Sequence, residues 1–111
     1  MCARKKQEAR ETIFALVKEP GKLPEIKKIQ NTLDAYQKAV GGYIETVTLA
    51  SDCIIICNEE GRLYGLPFNC HIANLDFYGT IVAVGSTGDD FCSIPCTIDE
   101  LKEFMPSVFT V

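Results

Sequence analysis

The 111-residue sequence contains no long apolar run. A membrane-spanning helix needs about eighteen or more consecutive apolar residues, so the sequence offers none and no membrane partner is expected. No apolar stretch of signal-peptide type follows the basic start MCARKKQEAR, so secretion is not implied. Neither a GxGxxG pattern nor a GKS/T ending occurs, which removes the common sequence grounds for dinucleotide or NTP binding. Gly41-Gly42 closes a helical segment instead of opening one, the wrong polarity for holding an anion at a helix N-terminus. Positive charge is in deficit: eleven Lys and Arg stand against fifteen Asp and Glu, for a net charge of −4. A phosphate backbone needs clustered cations, so nucleic acid is an unlikely partner on composition. The acidity is also far too small for imitation of duplex DNA, which carries one charge per ~1.7 Å. Internal repeats and low-complexity segments are absent.

What remains is an ordinary globular composition, 47% hydrophobic and 23% charged, with room for one modest core. The exception is the start. Arg4, Lys5, Lys6 and Arg10 face only Glu8, so residues 1–12 form a basic, solvated arm, and 13–111 form the domain. Six cysteines are present. Cys53 and Cys57 flank three isoleucines in SDCIIICN, which has the composition of a buried strand. Four strand residues span roughly 13 Å, too far for a disulfide within one strand. Cys92 and Cys96 in FCSIPC have the same spacing. Cysteines in place of apolar strand residues point to free thiols and a reduced, cytoplasmic protein.

The periodicity predicts an α+β fold. A mainly antiparallel sheet of about five to seven strands carries two short helices packed on it. TIFALV fits a central strand, and PEIKKIQN an edge strand. NTLDAYQKAVGG is the clearest helix: Asn31 or Thr32 caps it, Leu33, Tyr36 and Val40 share a face, and Gly41 ends it. GYIETVTL alternates as a strand, and SDCIIICN is central. Glu59-Glu60-Gly61 is expected to turn the chain into a return strand, RLYGLPF, broken at Pro67. FYGTIVAVGS and FCSI supply further strands, with TGDD as a turn. Thr97 and Glu100 have capping-box spacing, so a second helix starts there and stops at Pro106. Crossover helices between most strands are lacking, which excludes a doubly wound sheet.

Chemistry-bearing residues are sparse. The single histidine, His71, adjoins Cys70, but neighbours on a strand point to opposite faces and cannot form a nucleophile pair. Cys70, His71, Cys92 and Cys96 are the only candidate zinc ligands. They lack the paired close spacing of a knuckle and are better explained as small buried hydrophobes. No metal and no cofactor is expected. Glu59 and Glu60 are consecutive in a turn and diverge, so they do not face each other as catalytic carboxylates do. Tyr43, Glu45, Asn58 and Asn69 are polar residues close to glycines, where backbone lets a ligand approach. A hairpin requires neither Asn58 nor Asn69. A ligand site, if formed, is expected between those two asparagines and Glu45.

The segments VKEPGKLPEIKKIQNTLDAYQKAVGGYIETV, IIICNEEGRLYGLPFN, GTIVAVG and DDF together resemble the family called domain of unknown function 3846. The resemblance spans about residues 13 to 104. It rests on Val17, Pro20, Gly21, Leu33, Gly41, Gly42, Tyr43, Glu45, Asn58, Glu59, Glu60, Gly61, Leu66, Pro67, Asn69, Gly79 and Gly85. It implies no activity and transfers no catalytic residue. The family looks like small proteins of bacterial mobile elements and phages, which implies an accessory or anti-defence role by association alone. Small size and the missing catalytic constellation lead to a non-enzymatic binding module, acting on a protein partner or on itself. The alternative is a binder of a small, nucleotide-like molecule. An enzyme comes last.

Overall fold

The computed structural model describes residues 12–87 and 90–109. The basic arm therefore lies outside the described residues except for Thr12, which opens the first strand. The elements run β1 (Thr12–Lys18), β2 (Glu25–Gln30), α1 (Leu33–Val40), β3 (Ile44–Ala50), β4 (Cys53–Asn58), β5 (Phe68–Ile72), β6 (Leu75–Tyr78), β7 (Ile81–Ser86), β8 (Phe91–Cys92), α2 (Ile98–Phe104) and a 3-10 turn (Pro106–Phe109).

Six strands form one antiparallel sheet. Five lie in the order β2-β1-β7-β4-β3, and β8 pairs with the end of β7. β7 joins two hairpins, β1–β2 and β3–β4, into one surface. Its residues Val82 and Ala83 pair with Val17 and Leu16 on one side and with Ile56 and Ile55 on the other. β5 and β6 form a separate hairpin.

Both faces of the sheet's centre are covered, which explains the unbroken apolar character of β4 and β7. Strand alternation sends Cys53, Ile55, Cys57, Ile81, Ala83 and Leu16 to one face. There they meet Cys70, Ile72 and Phe77 of the hairpin, Leu101 of α2, and Met105 and Val108 beyond it. Ile56, Val82, Val84, Ile13, Ala15 and Val17 face the other way and meet Tyr36 and Val40 of α1. The eight-residue helix α1 is too short to persist alone and is held by that docking. Thr32 is its cap, accepting from the Ala35 amide, and Gly41 ends it at φ 81°. Leu33 does not join Tyr36 and Val40 in the core. As the first helical residue it is exposed. The capping box of Thr97 and Glu100 starts α2 as the sequence predicts.

Two segments depart from expectation. RLYGLPF is not a return strand, because both sides of β4 are already taken by β3 and β7. FYGTIVAVGS is divided at Gly79-Thr80: Phe77 and Tyr78 belong to β6, the rest to β7. The β5–β6 hairpin turns through Ala73 and Asn74, both with positive φ. That is the two-residue pattern whose twist suits a hairpin, reached here without glycine.

Four cysteines, Cys53, Cys57, Cys70 and Cys96, are free thiols, while Cys92 is disulfide-bonded, against the expectation of thiols throughout. Burial pushes Cys53, Cys57 and Cys70 up to about 11, so little thiolate exists at neutral pH. No helix among the described residues is long and apolar enough to cross a membrane.

Candidate functional site

Asn58, Glu59, Glu60 and the residues up to Leu66 form one capped turn. The Asn58 side-chain oxygen accepts from the Glu60 amide at 2.8 Å, as a helix cap does. The Tyr64 amide then reaches the Glu60 carbonyl at 2.9 Å. At the far end the Leu66 amide donates to Gly61 O and the Gly65 amide to Arg62 O, with Gly65 at φ 72°. That nested pair around a left-handed glycine is the usual way a helical turn is closed. Glu59 and Glu60 sit in its first turn, their amides already bonded to Tyr43 O and to the Asn58 side-chain oxygen. Residue types that resembled a hairpin are thus those of a very short helical excursion.

The turn is held on both sides. Asn58 is buried and its amide donates to Val40 O at the end of α1, at 3.1 Å. A Cβ on Gly42 would stand 2.9 Å from that amide nitrogen, so glycine leaves room for it. On the other side Leu66 lies over Gly79, where a Cβ would meet it at 2.8 Å. Arg62 lies 5.9 Å from the Tyr78 ring centroid, within cation–π range.

Two concavities flank Asn58. One, of about 390 Å³, lies between the sheet and the β5–β6 hairpin and is lined by Glu45, Asn58, Glu59, Arg62, Asp76 and Tyr78 among others. The other, of about 270 Å³, lies between the end of α1 and the turn, and Tyr43 and Tyr64 are among its walls. Three of the four residues singled out in the sequence, Tyr43, Glu45 and Asn58, therefore gather at this end of the molecule. Asn69 lines neither concavity. It is buried, and its amide donates to Lys18 O at 2.8 Å and Gly79 O at 2.7 Å. Its own carbonyl oxygen has no partner.

The surface of the turn is apolar for its position. Leu63 is 77% exposed, Tyr64 64% and the neighbouring Tyr43 72%. Sequence reasoning placed Leu63 and Tyr64 in a strand and so missed them. The signal was present: an asparagine cap, two acidic residues, then glycine and leucine seven and eight positions on. The Glu60 carboxylate beside the Tyr64 hydroxyl raises its pKa.

Across the β5–β6 hairpin, His71 Nδ1 meets Asp76 at 2.6 Å, a pair the sequence reading did not foresee. Both side chains are half-exposed, which limits such a pair to under about 1 kcal/mol. Cys70 is buried on the opposite side, as strand alternation requires. Among the described residues, no three His, Cys, Asp or Glu side chains come together in a way that would hold a metal ion.

The architecture defines an α+β protein: an antiparallel sheet, covered at its centre, with one structured excursion between β4 and β5. The sequence pattern of the Domain of unknown function (DUF3846) matches residues 13–105, and the chain belongs to that family. No curated protein and no solved structure matches it.

Proposed function

We propose that the protein is a non-enzymatic binding module that recognises a protein partner through the 58–66 turn. One observation carries the reading: Leu63 and Tyr64 are held out to solvent on a turn whose backbone is already hydrogen-bonded and anchored at Asn58 and Leu66. Aromatic and aliphatic anchors dominate binding energy at protein interfaces. Presenting them on a preformed turn lowers the entropy lost on association. Self-association is the case in which the partner is a second copy. An accessory role in a mobile element fits a small module of this kind and rests on the family resemblance alone.

Leu63→Asp is expected to weaken partner capture by roughly thirtyfold, about 2 kcal/mol, while changing stability by less than about 0.5 kcal/mol. Capture from a bacterial lysate and light scattering of the purified chain, each done with wild type and variant, provide the measurement. Equal capture and equal mass for the two proteins would remove the turn from any interface.

The cleft lined by Glu45 and Asn58 favours a second reading, a small-molecule ligand, since about 390 Å³ is within the range of such sites. Glu45, Glu59 and Asp76 outnumber Arg62 there, which disfavours phosphate and favours a neutral or cationic compound. A thermal-shift panel of nucleosides and nucleotides is expected to show nucleosides raising Tm more than their phosphates. No shift from any compound at millimolar concentration ends this second reading.

A further inference from the structure

We infer that the pocket between the end of α1 and the 58–66 turn accepts an organic cation, the guanidinium or ammonium group of a basic side chain. The inference rests on the partner-binding reading and specifies the chemistry that the partner brings. Three separate sources place negative potential in that space. Glu59 and Glu60 contribute carboxylates to its lining. The C-terminus of α1 ends at its edge, where Gly41 and Gly42 line the pocket and both donate to the Gln37 carbonyl. A helix C-terminus carries up to about half a negative charge, lowered here because Gln37 O and Val40 O already accept hydrogen bonds. Tyr43 and Tyr64 add exposed aromatic faces, whose quadrupole attracts cations. Among the described residues, no Lys or Arg lines the pocket.

The pocket is preformed. Asn58 is at its base, joined to Val40 O and to the Glu60 amide, and Gly42 gives that side chain its space. Tyr64 and Glu60 line it together, an aromatic residue beside an acidic one. At about 270 Å³ the space is small for a nucleotide and adequate for the end of one long side chain. A phosphate would meet two carboxylates and a helix C-terminus. A guanidinium would meet several acceptors and two rings, the combination in which arginine surpasses other cations.

The test is an amide-resolved NMR titration of the full chain with N-acetylated arginine amide, with N-acetylated citrulline amide as the uncharged control of similar shape. N-acetylated arginine amide is expected to shift the amides of Gly41, Gly42, Glu59 and Tyr64 in the millimolar range, with binding at least about fivefold weaker for N-acetylated citrulline amide. Added salt should weaken the response, and Glu59→Gln, an exposed change that leaves the fold intact, should reduce it several-fold. Equal response to N-acetylated citrulline amide, shifts confined elsewhere, or no shift at all would overturn the inference. A chain that captures a partner through Leu63 yet ignores N-acetylated arginine amide sinks this inference and leaves the partner reading standing. A chain that binds N-acetylated arginine amide but shows no partner dependence on Leu63 does the reverse.

Discussion

Gly61→Ala is expected to destabilise the protein by about 2–3 kcal/mol and to lower its melting temperature by roughly 10 °C. The cause is space, not backbone freedom, since Gly61 is not among the glycines with positive φ. An added Cβ would stand 2.7 Å from the Tyr78 carbonyl oxygen and 3.4 Å from the Tyr78 Cβ. Tyr78 is the last residue of β6, paired with Phe68 across the hairpin, so its carbonyl cannot withdraw alone. The turn cannot withdraw either, because Asn58 ties it to α1 and Leu66 ties it to Gly79. The entropy that alanine removes from the unfolded chain offsets only about 0.4–1 kcal/mol of this. Gly65→Ala makes the contrast. Its Cβ meets nothing within 4 Å, but φ is +72°, so its cost is conformational and near 1 kcal/mol. Urea unfolding of the two variants measures the difference. Equal costs would mean that the turn does not press against β6.

Removing the Asn69 side chain carries the second large effect. Asn69→Ala is expected to cost about 3 kcal/mol, because two buried carbonyls, Lys18 O and Gly79 O, each lose their side-chain donor. These bonds connect Asn69 of β5 to the end of β1 and to the residue just after β6, so Asn69 fastens the hairpin to the sheet. Its unpartnered oxygen contributes nothing to the loss. A ligand-binding asparagine behaves differently: its removal abolishes binding and leaves stability within about 0.5 kcal/mol. Chemical denaturation therefore separates the two roles, and an unchanged midpoint for Asn69→Ala would return Asn69 to the list of ligand candidates. Asn58 has the same double character in a different place. It caps the turn through its oxygen and holds α1 through its nitrogen, and it also borders both concavities.

Local chemistry was legible wherever a signal is complete within a few residues. The α1 cap at Thr32, its end at Gly41 and the Thr97–Glu100 box each depend on neighbours three or four positions away. The apolar runs of β1 and β4 announced central strands correctly, because two covered faces leave no polar alternate. The turn after β4 was misread because an acidic pair with glycine is equally at home in a hairpin and in a capped helical turn. Only the closing Gly65 and Leu66 distinguish the two. The β5–β6 hairpin was missed for a related reason: Ala73 at positive φ gives no turn signal.

The sequence by itself determined the antiparallel α+β class, the helix boundaries and the family, since each follows from local pattern or composition. Tertiary structure alone decided which strands adjoin β4. Once β7 takes the place beside it, RLYGLP does not pair with β4 and turns outward, and Leu63 and Tyr64 go to solvent. It also decided that Asn58 and Asn69 diverge, one beside the concavities and one pinned between Lys18 and Gly79. Partner choice between distant segments depends on packing over the whole sheet, and no local pattern carries that information.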